Sequence, residues 1–523
     1  MGGRNRDSPS RDDIATEAGP VEGQSTRVVL HLTPEAVAEG FVSLDEPVRV
    51  AERFPELVDR YGEGEPGELA ELRELSLRAA VVPLLATCPM DPAVVRYLRE
   101  LNAGTYQGGY RPPDLTAYLS LEFATAEEAR RFVELAIVEG GRSARLPRAI
   151  DDAYLEPIAA ESTDGPPPTL PPPTCSRDVR DQLYLGPAPI GMDVDAVRAF
   201  PCSDGEGVRL YDLEAGWGPT HAAVPPPALA SIGGATASAV HHLKVMGLIC
   251  TGHGMRPVAP AVAYGHASHA CANGVVNDAV ACATALSRLR PGDVLLNEYS
   301  VTHASTNTLD APAECASAVY HLIKAATHRI DPSTRASLGI HVVTAGGNGK
   351  WRMDRDTGRF SMPGTSGVLP RTVLLGDSGA IVVGAADALL PHRRWATSNH
   401  GTRIDCYAWG EKLMTATKAH MGGVTRDAFT CEFGQTSGAA ALIGGAVAAL
   451  QGIAHAAGRG PIDPLRLRGW LGDHDLGTPV YAHHAASIPR GTYPAGARSR
   501  VATTAPIGSM PDLGRVAARL LGG

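Results

Sequence analysis

At 523 residues the chain is longer than one ordinary domain and can bury a large core with an accessory unit beside it. With 44% hydrophobic and 20% charged residues it matches an average globular protein, which excludes general disorder. A net charge of -9 and a pI near 6.1, with no Lys/Arg cluster interleaved with aromatics, argue against nucleic acid as a partner.

Residues 1–26 carry charges with no apolar core behind them, and read as a disordered leader rather than a secretory signal. The 27–160 segment has α+β texture. "TRVVLHLTPEAV" reads as a strand, and residues 68–102 as helices interrupted at prolines. "DLTAYLSLEF" alternates like a half-buried strand. "ATAEEARRFVELAIVEGG" has a Thr125/Glu128 capping box, an apolar stripe and a closing Gly140, which predicts a helix, and "IDDAYLEP" returns as a strand. Residues 161–181 contain "TDGPPPTLPPPTC", whose prolines lack N–H donors; this is a linker. From residue 182 to 523, short apolar strands (207–214, 292–299, 338–347, 379–386) alternate with helical stretches (267–290, 311–330). That order predicts an α/β domain with a mostly parallel sheet covered on both faces. The uncharged run Gly438–Leu450 reads as a buried core helix, and no segment reaches the length of a membrane span. Nine cysteines without a C-x-x-C pair suggest reduced thiols, and a cytoplasmic location follows as the expectation.

Chemistry in such sheets gathers at the carboxyl ends of the strands. Asp212 stands near the end of the strand "GVRLYDLE", Asn348 follows the Gly-rich turn of "GIHVVTAGGNG", His241 opens a helical pattern, and Ser437 heads the buried helix. Each taken singly has a structural reading as a turn or helix cap. Together they are the parts for acyl transfer. The hydroxyl attacks, the imidazole takes its proton, the carboxylate fixes the tautomer, and the amide joins a backbone N–H in holding the oxyanion.

These residues resemble the subtilisin-like serine proteases, the subtilases. The family's Ser motif is similar to "GQTSGAAALIGGAVAAL", its Asn motif to "TAGGNG", its Asp strand to "VRLYDLEAGW", and its His motif to "HHLKVMGLIC". The order Asp, His, Ser along the chain is that of subtilisin. Further similarities run over roughly residues 182–515, and the 27–160 unit is similar to the ferredoxin-like propeptides of subtilases. The resemblance implies a serine endopeptidase acting on a polypeptide, with Ser437 as nucleophile, His241 as base, Asp212 as its orienter and Asn348 in the oxyanion hole. The linker adds a further expectation, that the N-terminal unit assists folding and is cleaved near residues 160–180. The motifs depart from the family in four places. His242 and Leu243 stand for Gly and Thr, Gln435 for the Gly before Thr-Ser, Ala441 for a Pro, and "AGGN" for "AAGN".

His253 keeps a literal His-Gly and is the rival base, with His241 preferred. His266, His269 and Cys271 stand close together as metal ligands would, but lack the paired spacing of a zinc site and read as packed or solvated residues. His483 and His484 read as loop residues. Glu298, ending "VLLNE", either approaches a substrate pocket or caps a turn. No cofactor or metal is called for, and no Asp-rich loop has calcium-ligand spacing. Two other functions fit the same residues: a pseudoprotease serving as a binding module, and a peptide ligase, macrocyclase or leader peptidase of peptide natural-product maturation.

Overall fold

The structure, a computed structural model, describes residues 25–160 except 44–46, 90, 137–144 and 157. Beyond the linker it describes 182–522 except 235–239, 253–254, 303–309, 355–358, 362–375, 422–423 and 481–505. His253, His483 and His484 therefore lie outside the described residues, as does the whole 161–181 linker.

Alternation in the first strand sorts its side chains into two cores. β1 (Arg27–Leu32) sends Val28, Leu30 and Leu32 into a local core with Phe54, Phe123 and Phe132, while Val29 joins the main core of the protein. Around it lie α1 (Pro66–Arg78), β2 (Ala80–Pro83), α2 (Pro92–Asn102), β3 (Tyr118–Glu122), α3 (Ala126–Ala136) and β4 (Ile150–Leu155). The four strands form an antiparallel sheet in the order β2-β3-β1-β4, which is ferredoxin-like. The expected cap holds: Glu128 N–H donates to Thr125 Oγ1 at 3.2 Å. β2 interrupts the stretch expected as helices only; it is an edge strand, where its terminal Pro83 is tolerated.

The second unit contains β6 (Arg209–Glu214), α4 (His241–Cys250), β7 (Ala263–Ser268), α5 (Asp278–Arg288), β8 (Val294–Asn297), β9 (Ser300–Thr302), α6 (Ser317–His328), β10 (His341–Ala345), β11 (Ile381–Ala386) and β12 (Cys406–Trp409). It closes with the hairpin β13 (Leu413–Met421) and β14 (Val424–Phe433), α7 (Gln435–Ala456), β15 (Gly477–Pro479) and β16 (Ser509–Pro511). Eight strands form one sheet, in the order β15-β16-β12-β11-β10-β8-β6-β7. All neighbours are parallel except the edge pair β15 and β16. The α/β class and mostly parallel sheet are as expected. Two helical stretches are shorter than expected. Residues 267 and 268 finish β7, and α5 starts only at Asp278, where Asn277 Oδ1 accepts from Val280 N at 2.9 Å. Likewise Ala311–Pro312 is a short strand before α6.

α7 crosses the centre of this unit with every residue from Thr436 to Ala454 buried. By length and composition it could span a membrane, but its apolar stretch is buried inside the protein. Leu442, Ile443, Val447 and Leu450 contribute roughly 1.5–3 kcal/mol each by burial. Its small residues permit close approach: a Cβ at Gly452 would collide with the Cys202 carbonyl oxygen.

The N-terminal sheet docks on α5 and α6 through the face that carries Val29, Tyr118 and Tyr154. Ala318 N–H donates to the Tyr154 hydroxyl at 3.3 Å, and Asn277 Nδ2 donates to Leu84 O at 2.8 Å. Beyond β4, a further strand, β5 (Ile158–Ala160), pairs antiparallel with β9. A Cys88–Cys271 disulfide joins the two units with Cα atoms 6.0 Å apart, and Cys431 is also disulfide-bonded. This corrects the expectation of reduced thiols; the remaining described cysteines, Cys202, Cys250, Cys282, Cys315 and Cys406, are free.

Candidate active site

Parallel strands present their carboxyl ends to one rim of the sheet, and β6 delivers two acids there. Asp212 and Glu214 are two residues apart, so they share a face and stand about 6.6 Å apart along the strand. The outer of the two meets the imidazole. His241 Nδ1 lies 2.7 and 2.9 Å from the two carboxylate oxygens of Glu214, and both side chains are buried. The sequence reading expects Asp212 in this contact; in the structure Glu214 makes it. His241 is the first residue of α4, at the rim itself, so the acid nearer the rim reaches it. The sequence signal was present in "DLE", whose two acids necessarily face the same way.

Asp212 lies deeper. It is fully buried, neither carboxylate oxygen makes a hydrogen bond among the described residues, and His266 Nδ1 lies 3.8 Å away. Burial pushes its pKa up, against the pull of His266 and His241. His242, standing where subtilases have Gly, packs edge-on against His266 with ring centroids 4.8 Å apart, and His266 stacks on Trp217. The extra side chain thus fills the Asp212 side of the site.

Phe433 ends β14 and meets His241 edge-to-face with centroids 5.6 Å apart. Four residues on, Ser437 lies in the first turn of α7, buried at 6% exposure. The turn between them is tight: Gln435 adopts φ +55°, a left-handed backbone at the position where the family carries Gly, and its N–H donates to Gly410 O at 2.7 Å. Asn348 approaches the same helix start. Its Oδ1 accepts from Thr436 N at 3.2 Å and from Thr436 Oγ1 at 3.1 Å. Because a backbone N–H can only donate, the amide oxygen faces α7, and Asn348 lies close enough to Asp310 to oppose the rise that burial gives that carboxyl. Gly347 precedes it at φ +84°, where a Cβ would strike the Asp310 carbonyl oxygen.

Glu298 completes the group. It is buried at 3% exposure, and the Ser437 hydroxyl approaches its carboxyl without forming a full hydrogen bond. Burial, then Glu214 and Asp212, push its pKa well above the usual range, with Ser437 opposing. The structure thus brings His241, Ser437, Asn348 and Asp212 to one end of the sheet, and adds Glu214 and Glu298. His266, His269 and Cys271 do not converge on one point. His269 pairs with Asp278 at 3.3 Å, Cys271 is in the disulfide, and no group of three such ligands occurs among the described residues.

The model of the subtilase family matches residues 248–471, which hold Asn348 and Ser437. The matched subtilase segment begins after β6 and His241, so those two rest on the geometry above. No curated protein matches the chain. Among solved structures it is similar to a cold-adapted subtilisin-like serine proteinase, at 17% identity over 53% of this chain and 84% of that one, with a TM-score of 0.35. The patellamide maturation protease PatA is 16% identical over 61% and 98%, with a TM-score of 0.38. Fervidolysin from Fervidobacterium pennivorans, a keratinolytic enzyme, is 13% identical over 83% and 60%, with a TM-score of 0.41.

Proposed function

We propose that the protein is a serine endopeptidase that cleaves polypeptides through a Ser437 acyl-enzyme. The observation that carries this is the buried Glu214–His241 contact, at a sheet rim that also receives the Ser437 end of α7. In this reading Ser437 Oγ attacks the scissile carbonyl as His241 accepts its proton. Glu214 holds the ring with Nδ1–H toward itself, so that Nε2 is the basic nitrogen, and stabilises the imidazolium that forms. His241 then returns the proton to the leaving amine, and water repeats the sequence to release the acid. The N-terminus of α7 suits the developing oxyanion: the dipole favours negative charge and the Ser437 N–H is in the first turn. Asn348 is the second donor once its amide turns its nitrogen toward that oxyanion.

The N-terminal unit has the role of a folding aid that is cleaved in the 161–181 linker. The support is β5, whose antiparallel pairing with β9 begins two residues beyond Glu298. The interdomain disulfide favours an oxidising compartment over the cytoplasm. To test the activity, an unfolded protein substrate is incubated with the purified chain and the products are weighed. Hydrolysis adds one water per cut and disappears in Ser437→Ala. Products lacking that mass belong to a ligase, and an unaltered substrate to a binding module.

A further inference from the structure

Glu298 is a buried acid for which the reaction just described has no use. Its place follows from strand register. β6 and β8 align Asp212 with Leu296 and Leu213 with Asn297, and Glu298 N–H continues the ladder to Leu213 O at 2.9 Å. The next pair is therefore Glu214 beside Glu298, on strands about 4.8 Å apart and pointing to the same face. Leu296, on that same face, packs against Gly444 of α7, which confirms that Glu298 looks toward the helix bearing Ser437. Among the described residues no cation is paired with it. From β6 come Asp212 and Glu214, from α4 His241 behind Glu214, from β7 His266 behind Asp212, and from α7 the Ser437 hydroxyl. Lys244 of α4 lies over the Phe433 ring, 5.9 Å from its centroid. Neither carboxyl oxygen of Glu298 has a hydrogen-bond partner.

Two carboxylates side by side in a buried site cannot both ionise cheaply. Glu214 has the imidazole, so the single negative charge belongs there. We propose that Glu298 is a positioning residue that works as a neutral carboxylic acid, leaving one negative charge on Glu214 and keeping the space beside Ser437 Oγ uncharged. This deepens the endopeptidase reading and rests on it. The oxyanion develops next to Glu298, so the neutral form permits the reaction and the ionised form opposes it. Burial and both neighbouring acids favour the proton on Glu298. Ionisation at high pH therefore closes the enzyme, an alkaline limb that the His241 base alone would not produce.

The experiment is the pH profile of kcat and of KM for the wild type, Glu298→Gln and Glu298→Ala, with fluorophosphonate labelling of Ser437 measured in parallel. Gln is neutral, similar in shape and unable to ionise. It is expected to hold kcat within about threefold of wild type at pH 7 and to remove the tenfold or greater alkaline fall, with KM little changed. Ala is expected to lose at least tenfold at every pH. A Gln variant as damaged as Ala at pH 7, an alkaline limb that survives in Gln, or a wild type flat to pH 10 each overturns the proposal. A merely structural role lowers Tm in Gln and leaves the limb in place. If the wild type neither labels nor cleaves, the protease reading itself has failed; labelling with an unchanged profile overturns only the role of Glu298.

Discussion

Replacing Glu214 with Gln removes one charge and almost no volume from the contact that defines the site. In the native protein both carboxylate oxygens lie within 2.9 Å of His241 Nδ1, in a buried setting that leaves little water to compensate. A hydrogen bond to a charged group is worth about 1.5–3 kcal/mol. That alone slows the reaction roughly 10–150-fold at about 1.36 kcal/mol per tenfold. An amide can also turn its NH2 toward Nδ1 and impose the wrong tautomer, an exchange that costs about 10⁴-fold in a related triad. Glu214→Gln is therefore expected to lower kcat by about 10²–10⁴ with KM nearly constant. Asp212→Asn is the control. Its acid reaches His266 no closer than 3.8 Å and makes no hydrogen bond, so kcat is expected to fall less than about tenfold. Initial rates on a fluorogenic peptide, with Tm checked for each variant, decide it. If Asp212→Asn is as damaging as Glu214→Gln, or Glu214→Gln leaves kcat intact, the assignment of Glu214 is wrong.

Three further outcomes are expected. After cleavage within residues 161–181, the two pieces should run together on a non-reducing gel and part under reductant, because Cys88–Cys271 joins them; separation without reductant contradicts this. Burial holds the Asp152 carboxyl at about 6 in the folded protein, above its ordinary value near 3.9. The native state thus binds that proton more tightly, and this contribution is present below about pH 4 and lost as pH rises through 6. Asp152→Asn should match wild-type stability near pH 4 and exceed it by up to about 3 kcal/mol at pH 7.5, as chemical denaturation would show; a variant less stable at pH 7.5 refutes it. Gln435→Gly should relieve the left-handed backbone at φ +55° and stabilise the fold by about 1 kcal/mol, read as a higher Tm. A lower Tm would mean that the Gln side chain contributes more than the backbone strain takes away.

The parts of the site that were legible in the sequence are those that local pattern controls. Ser437 and His241 each open a helix whose apolar run is visible along the chain, and Asn348 follows a glycine turn. The alternation of strands and helices likewise implies the parallel sheet. The choice between Asp212 and Glu214 was not legible, because both acids share the period of the strand and only their depth relative to the first turn of α4 separates them. Cys88 and Cys271 are 183 residues apart, a distance at which spacing carries no pairing signal. The hairpin β13–β14 does carry a signal, the Gly422-Gly423 pair that stands between its two strands in the sequence. Glu298 was ambiguous for the same reason as Glu214: a strand end can face a pocket or a turn, and register with a neighbouring strand decides.

The most direct measurement is covalent trapping. The chain, freed of its N-terminal unit by linker cleavage and reduction, is treated with a fluorophosphonate and the adduct is located by peptide mass mapping. The account expects one adduct on Ser437, slowed in Glu214→Gln and absent in Ser437→Ala. No adduct on the wild-type chain, or one that persists undiminished when Ser437 is Ala, would contradict it.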